Sequence, residues 1–175
     1  MRDMILIVEP LIPGLRRYAR ALLRDASAAD DLVQDCLERA VTRWHQRRGD
    51  GDARSWLYAI LHNLAVSEMR RTSRRTPHLA LDEERATDPG AAPTQEDGLH
   101  HRALLDALGS LPEDQRAALL LVSVEDLSYA DAARVLGVPI GTVMSRIARA
   151  REKLRRAIDE GRTIPAEGPQ LRRVK

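Results

Sequence analysis

Between Arg146 and Arg156 lie six basic residues and one acid, Glu152. In the same stretch Val143, Ile147, Ala150 and Leu154 recur at steps of four, three and four. That spacing gathers the apolar side chains on one side of a helix. It leaves Thr142, Ser145, Arg149 and Arg156 facing outward, with Met144, Ala148, Arg151 and Arg155 on the other flank. A guanidinium is a planar fork of donors that matches phosphate and the guanine edge, so the chemistry offered is nucleic-acid recognition. A second constellation is Trp56, Asn63 and Arg70, spaced by seven along a predicted helix, with Ser67 beside them. A stacking ring, an amide and a guanidinium in line suit unpaired bases, and Arg70, Arg71, Arg74 and Arg75 then form a cluster suited to backbone phosphates. The third is an acidic stripe, Asp31, Gln34, Asp35 and Glu38 with Thr42, which fits either water or a basic partner.

Bond-making chemistry finds no footing. His45, His62, His78, His100 and His101 form no metal-ligand pattern with Cys36 or nearby acids. No phosphate-cradling glycine loop or nucleophile motif occurs. The reading is of no enzyme, no metal and no cofactor. The single cysteine excludes an intramolecular disulfide. The longest apolar run, Ala117 to Val122, is six residues, against about 20 for a membrane span. With no secretory signal pattern at its start, the chain reads as soluble, cytoplasmic and without membrane insertion.

The elements that must hold these constellations are helical. Hydrophobic residues make up 43% of the 175, but aromatics only 3%, with no Phe. A core of Leu, Ala, Val and Ile suits helix on helix. Residues 1–75 carry a net charge of +4, residues 76–100 of −5, and the last fifteen of +3. The segment 76–98 holds Pro77, Pro89, Gly90, Pro93 and Gly98 without apolar periodicity and reads as a flexible acidic linker. The predicted architecture is all-α, two small helical bundles (1–75 and 99–160) joined by that linker, with a basic tail over 161–175. In the first bundle, Leu11, Leu15, Tyr18 and Leu22 mark one helix. Ser27 is the expected N-cap of a second, with Asp30 and Asp31 in its first turn. That helix buries Leu32, Val33, Cys36, Leu37, Ala40 and Trp44. A helix from Ser55 to Arg71 buries Leu57, Ile60, Leu61 and Leu64. In the second bundle, Leu111-Pro112-Glu113-Asp114 opens a helix. Ser128-Tyr129-Ala130-Asp131 resembles a capping box and opens a short helix that Gly137 ends, and Pro139 starts the next. Two helices joined by so tight a turn make a helix-turn-helix.

These residues, in this order, resemble the extracytoplasmic-function sigma factors of bacterial RNA polymerase. Asp30-Asp31-Leu32-Val33-Gln34-Asp35 with Arg39-Ala40 is similar to the family's core-binding helix. Ser55-Trp56-Leu57-Tyr58-Ala59-Ile60 with Asn63-Leu64-Ala65 is similar to its promoter-melting segment. Leu111-Pro112-Glu113-Asp114-Gln115-Arg116 resembles the opening of its C-terminal domain. Leu127-Ser128-Tyr129, Leu136-Gly137-Val138-Pro139 and Gly141-Thr142-Val143 through Arg149-Ala150-Arg151 resemble its helix-turn-helix. The resemblance implies a region 2-like domain over 1–75 and a region 4-like domain over 99–160. It implies that Asp31, Gln34, Asp35 and Glu38 dock on the clamp helices of core polymerase. Arg48, Asp50, Trp56, Ile60, Asn63, Arg70 and Arg71 would engage the −10 element and capture a flipped base. Ser145 and Arg149 would read base edges of the −35 element, with Thr142, Arg146, Arg151 and Arg155 on phosphates. The acidic linker would thread the polymerase towards its RNA exit channel, and an anti-sigma factor is implied as a further partner. Met144 and Ala148 add apolar groups that suit a thymine methyl.

Two other readings compete. A sigma-like decoy for an anti-sigma factor should lose the basic recognition face and carry a receiver domain; here the face is intact and the length leaves no room for a receiver. A simple helix-turn-helix regulator leaves the Trp56/Asn63 line and the acidic stripe without a role.

Overall fold

The computed structural model describes residues 2–46, 52–75 and 104–162. Arg48 and Asp50 of the expected −10 set, the linker 76–98 and the tail from residue 163 lie outside them. Among the described residues all regular structure is helical. The first body contains α1 (Arg2–Val8), a 3₁₀ turn Glu9–Leu11, α2 (Ile12–Leu23), α3 (Ala26–Arg43), a 3₁₀ turn Trp44–Gln46 and α4 (Ala53–Arg75). The second contains α5 (104–110), α6 (Glu113–Ser123), α7 (Tyr129–Leu136) and α8 (Ile140–Arg162). No described helix is long and apolar enough to cross a membrane.

Local chemistry explains the ends. Asp25, not Ser27, caps α3: its backbone is extended and its Oδ1 accepts from the Ala28 N–H at 3.0 Å. The preceding Arg24 sits at φ 62°, closing α2 in the left-handed conformation. Asp30 therefore falls beyond the first turn and pairs back with Arg20 at 3.1 Å. Asp52 caps α4 through the N–H groups of Arg54 and Ser55 and the Ser55 hydroxyl, so that helix starts at Ala53, two residues earlier than predicted. Burial alone would raise the Asp52 carboxyl, but these hydrogen bonds outweigh it and hold it below its ordinary value. Ser128 Oγ accepts from the Asp131 N–H at 3.0 Å and donates to Asp131 Oδ2 at 2.5 Å, a variant of the expected box. Gly137, at φ 65°, ends α7 as predicted.

Leu15, Tyr18 and Leu22 of α2, Leu32, Val33, Cys36 and Ala40 of α3, and Leu57, Leu61 and Leu64 of α4 are buried. Ile60 and Trp44 are only half-buried. Leu119, Leu120 and Leu121 of α6 are buried, and Val124, where the helix ends, is exposed. Of the N-terminal apolar run, Val8 is buried, whereas Ile5, Leu6 and Ile7 are exposed.

Nothing in the sequence pattern selects a placement of the two bodies, since a flexible linker allows compact and extended arrangements alike. The structure packs them into one continuous apolar cluster, with α7 against α4 and α6 against α2. Two charged residues of the second body enter the first. Glu125 is 1% exposed. It accepts from the Tyr58 hydroxyl at 2.6 Å and from Arg17 Nε and Nη2 at 2.8 and 2.9 Å, while its carbonyl accepts from Arg54. Asp126, at φ 49°, makes the turn that projects it. Arg116 donates to the Leu22 carbonyl at 2.9 Å and to the Gly109 carbonyl at 3.2 Å, so its charge sits at the negative C-terminal end of α2.

Leu121→Ala, at a fully buried site of the second body, is expected to cost about 2–5 kcal/mol. The chain's two tryptophans both lie in the first body. Because the bodies share a core, the tryptophan-fluorescence midpoint in urea should move together with that of far-UV circular dichroism. A fluorescence midpoint left in place would show that the bodies unfold separately.

Candidate nucleic-acid interface

The acidic stripe is built by α3. Its buried residues all lie on one side, so Asp31, Gln34, Asp35 and Glu38 are exposed together on the other. Gln34 Nε2 donates to Glu38 Oε1 at 3.1 Å, which fixes the middle of the stripe. Asp30 is not part of it, being tied to Arg20 and, at 3.8 Å, to Arg16.

On α4, Asn63, Ser67 and Arg70 are exposed and successive turns bring them into line with Trp56. Trp56 is half-buried, its ring edge-to-face with Trp44 at 6.0 Å and 74°. A ring held this way keeps part of its surface for stacking while its orientation is fixed by the core. Trp44 was legible only as a core residue, and its support of Trp56 is a tertiary fact. Ile60 packs against the apolar cluster. Arg71 pairs with Glu68 at 2.9 Å, leaving Arg70 and Arg74 as the more open cations of this end.

The outward basic face is built by α8. Val143, Ile147 and Ala150 are buried and Leu154 half-buried, as their spacing predicts. Arg149 is exposed and makes no hydrogen bond or ion pair among the described residues. Ser145 is exposed, its hydroxyl donating to the Thr142 carbonyl at 3.0 Å; Thr142 is half-buried. Arg151 reaches Ser123 Oγ at 3.4 Å, and Arg155 and Arg156 share Glu152, both at 2.9 Å. Arg146 stands apart. Its guanidinium pairs with Asp114 at 3.0 Å and is 23% exposed, so in this arrangement it is turned towards α6 rather than outward. Met144 and Ile140 are exposed apolar groups on the same end of α8. The described residues bring together no metal-binding cluster.

Comparison with known proteins supports both bodies. Residues 8–62 match the family described as the Sigma2 domain of PhyR, and residues 101–154 match Sigma-70, region 4. The chain is 38% identical over 154 residues to the ECF RNA polymerase sigma factor EcfG of Rhodopseudomonas palustris strain TIE-1, covering 88% of this chain and 82% of that one. Its structure is similar to that of the sigma factor RpoE of Bartonella quintana, solved in complex with the anti-sigma factor NepR. There the TM-score is 0.80 at 30% identity, over 91% of this chain and 98% of the other. The PhyRSL–NepR complex of Sphingomonas sp. Fr1 gives a TM-score of 0.64 at 26% identity, over 89% and 88%. A single superposition as extensive as the one on RpoE includes both bodies at once, so their mutual placement is similar to that in the NepR-bound protein.

One titratable group couples α8 to α4. Burial, and then the Arg146 guanidinium, push the His62 imidazole from its ordinary 6.5 down to about 4. Burial pushes the Tyr18 hydroxyl far up, so it stays protonated, and it shares a 3.0 Å hydrogen bond with Nδ1 of neutral His62. Since the folded value lies below the unfolded one, the unfolded chain binds the extra proton between them. Stability present at neutral pH is therefore lost as pH falls from about 6.5 to about 4, by at most about 1.4 kcal/mol per pH unit. His62→Gln should flatten this part of the dependence. Urea unfolding at pH 7 and pH 5 measures it, and an equal acid loss in both proteins would reject the assignment.

Proposed function

The chain belongs to the extracytoplasmic-function sigma factors of bacterial RNA polymerase, and on that premise we propose how its faces divide the work. As a sigma factor it binds core polymerase, directs it to promoters with −35 and −10 elements, and assists strand separation; it makes and breaks no bond itself. We assign polymerase docking to Asp31, Gln34, Asp35 and Glu38, a set exposed together whose carboxylates make no ion pair among the described residues. Trp56, Asn63 and Arg70, with Ile60 and Arg71 beside them, hold the −10 strand after a base leaves the stack, and Arg48 and Asp50 of the preceding loop join them. Holding an extruded base more tightly than the duplex does offsets an unstacking cost of about a few kcal/mol.

At the −35 element Arg149 and Ser145 take base edges, while Thr142, Arg146, Arg151 and Arg155 take phosphates. Arg146 must exchange Asp114 for a phosphate to do so. The domain assignment follows the same division: 1–75 for polymerase and −10 element, 76–98 as linker, 99–160 for the −35 element and 161–175 as a basic tail. The protein works in the cytoplasm, where promoter and polymerase are. An anti-sigma factor restrains it, a reading supported by the likeness to RpoE, a sigma factor solved with NepR.

The observation that carries this reading is the presence, on one chain, of an exposed acidic stripe and of a recognition helix whose Arg149 is unpaired among the described residues. One observation favours a second reading: the first body matches the Sigma2 domain of PhyR, and the PhyR of Bartonella quintana, solved in complex with NepR, is an anti-anti-sigma factor. A decoy of that kind has no use for a basic −35 face, and here Arg149, Arg151 and Arg155 are exposed. Run-off transcription with purified core polymerase separates the two: specific initiation establishes the factor, and its absence together with tight anti-sigma binding establishes the decoy.

Arg149→Ala is expected to weaken initiation at −35-dependent promoters by about ten- to a hundredfold, as loss of one base-reading arginine does. A −35 preference unchanged by the substitution would reject the assignment. Reversing the stripe with Asp31→Arg and Asp35→Arg should abolish co-purification with core polymerase without reducing helicity, and retained binding argues against the docking face.

A further inference from the structure

We propose that the Glu125 turn is an intramolecular latch that holds the two DNA-reading bodies closed, and that its release makes the chain competent for a promoter; this rests on the sigma-factor reading above. A compact chain of this length has a radius of gyration of about 16 Å and is about 40 Å across. The −35 and −10 elements lie about 25 base pairs apart, which at about 3.4 Å each is about 85 Å of duplex. DNA stiff over about 500 Å does not fold that distance into the width of one small protein. The closed arrangement therefore cannot serve both elements at once.

The contact is built rather than incidental. Glu125 enters the first body under a three-residue cover of Arg17, Tyr58 and Arg54. Gly14 lies against the same carboxylate, and a Cβ there would stand 2.6 Å from Tyr58 Oη and 2.7 Å from Glu125 Oε2. No side chain fits at this position without moving the latch. Arg116 makes a second bolt at the C-terminal end of α2. The contact is also releasable: Arg54 Nε and Arg116 Nε are buried without an acceptor among the described residues, a cost that opening relieves. The stripe on α3 stays exposed while the latch is shut, so closure leaves polymerase docking open and blocks only the simultaneous reach to two DNA elements. A similar placement occurs in the NepR-bound RpoE, and in this chain Glu125 with Arg17, Tyr58 and Arg54 bridges the two bodies. An inhibitor that favours this placement selects a state already populated rather than creating one.

The test uses the full chain and two variants. Arg17→Glu sets a like charge against Glu125 from a side chain that is 55% exposed. Gly14→Ala wedges the same contact sterically. X-ray scattering of each free protein should show the radius of gyration rising from about 16 Å towards about 25 Å, with helicity by circular dichroism unchanged. With limiting sigma factor and purified core polymerase, the opened variants should form promoter complexes about tenfold more readily, as expected when a competent state of about one in ten becomes dominant. Scattering that stays at the parental value in a folded variant overturns the latch. Opening without a gain in promoter complexes overturns its inhibitory role. Failure of the parent and both variants to initiate from any promoter counts instead against the sigma-factor reading, while scattering still decides the latch.

Discussion

A carboxylate with 1% of its surface exposed must be matched where it is buried, because an unpaired charge in a protein interior costs several kcal/mol. Glu125 belongs to the second body and all its side-chain partners to the first. Its burial and the docking of the two bodies are thus one event. Burial raises the Tyr58 phenol, with the hydrogen bond to Glu125 adding to it, so Tyr58 is a dependable donor. Its own hydrogen bonding to Glu125 raises Arg17 above its ordinary value. Undocked, Glu125 returns to water and loses three hydrogen bonds but regains its hydration. Ion pairs of this type stand close to balance against water. The apolar contact of α7 with α4 supplies the bias towards closure, and the polar cluster fixes its geometry.

The faces proposed for binding survive folding because a helix has two sides. On α3 and α8 the buried seam consists of small and aliphatic residues: Ala29, Cys36 and Ala40 on one, Val143, Ile147 and Ala150 on the other. Alanine lets helices approach closely, so a chain poor in aromatics still packs. The few aromatic rings are concentrated where geometry has to be held: Tyr18 meets Tyr58 edge-to-face at 5.6 Å beside the Glu125 site, and Trp44 meets Trp56 beside the proposed base-binding flank. Cys36, whose thiol burial pushes up to about 12, is a packing residue that donates weakly to the Leu57 carbonyl.

What could be read from the sequence was whatever repeats with the helix period or sits beside a turn. The seam of α8, the cap at Ser128 and the stop at Gly137 all belong to that class, and the turn between α7 and α8 follows from them. Where two cap-forming residues stood close together, the pattern could not choose. Asp25 prevails over Ser27 because Arg24 has already left the helical conformation, which leaves Asp25 extended. Pairings across the fold were not legible at all. Arg146 looks like one more phosphate contact until α6 brings Asp114 to it. Glu125 sits in a loop, without periodicity, and its partner Arg17 lies 108 residues away.

The surplus of arginine over lysine is open to two explanations, nucleic-acid binding or a compositional habit, and position separates them. Arg17, Arg54 and Arg116 are used inward. Each donates to a specific oxygen across the body interface, where a planar fork does what a point charge would do poorly. Arg70, Arg149 and Arg151 are exposed on the two faces that contain the base-sized and groove-sized chemistry. Arg146 fits neither group: within the second body it pairs with Asp114 of α6, and its charge is felt by His62 on α4. Separating the bodies would remove His62 from that guanidinium and leave Arg146 answerable only to Asp114. The guanidinium proposed for a −35 phosphate therefore also sets how readily His62 takes up a proton while the bodies are packed.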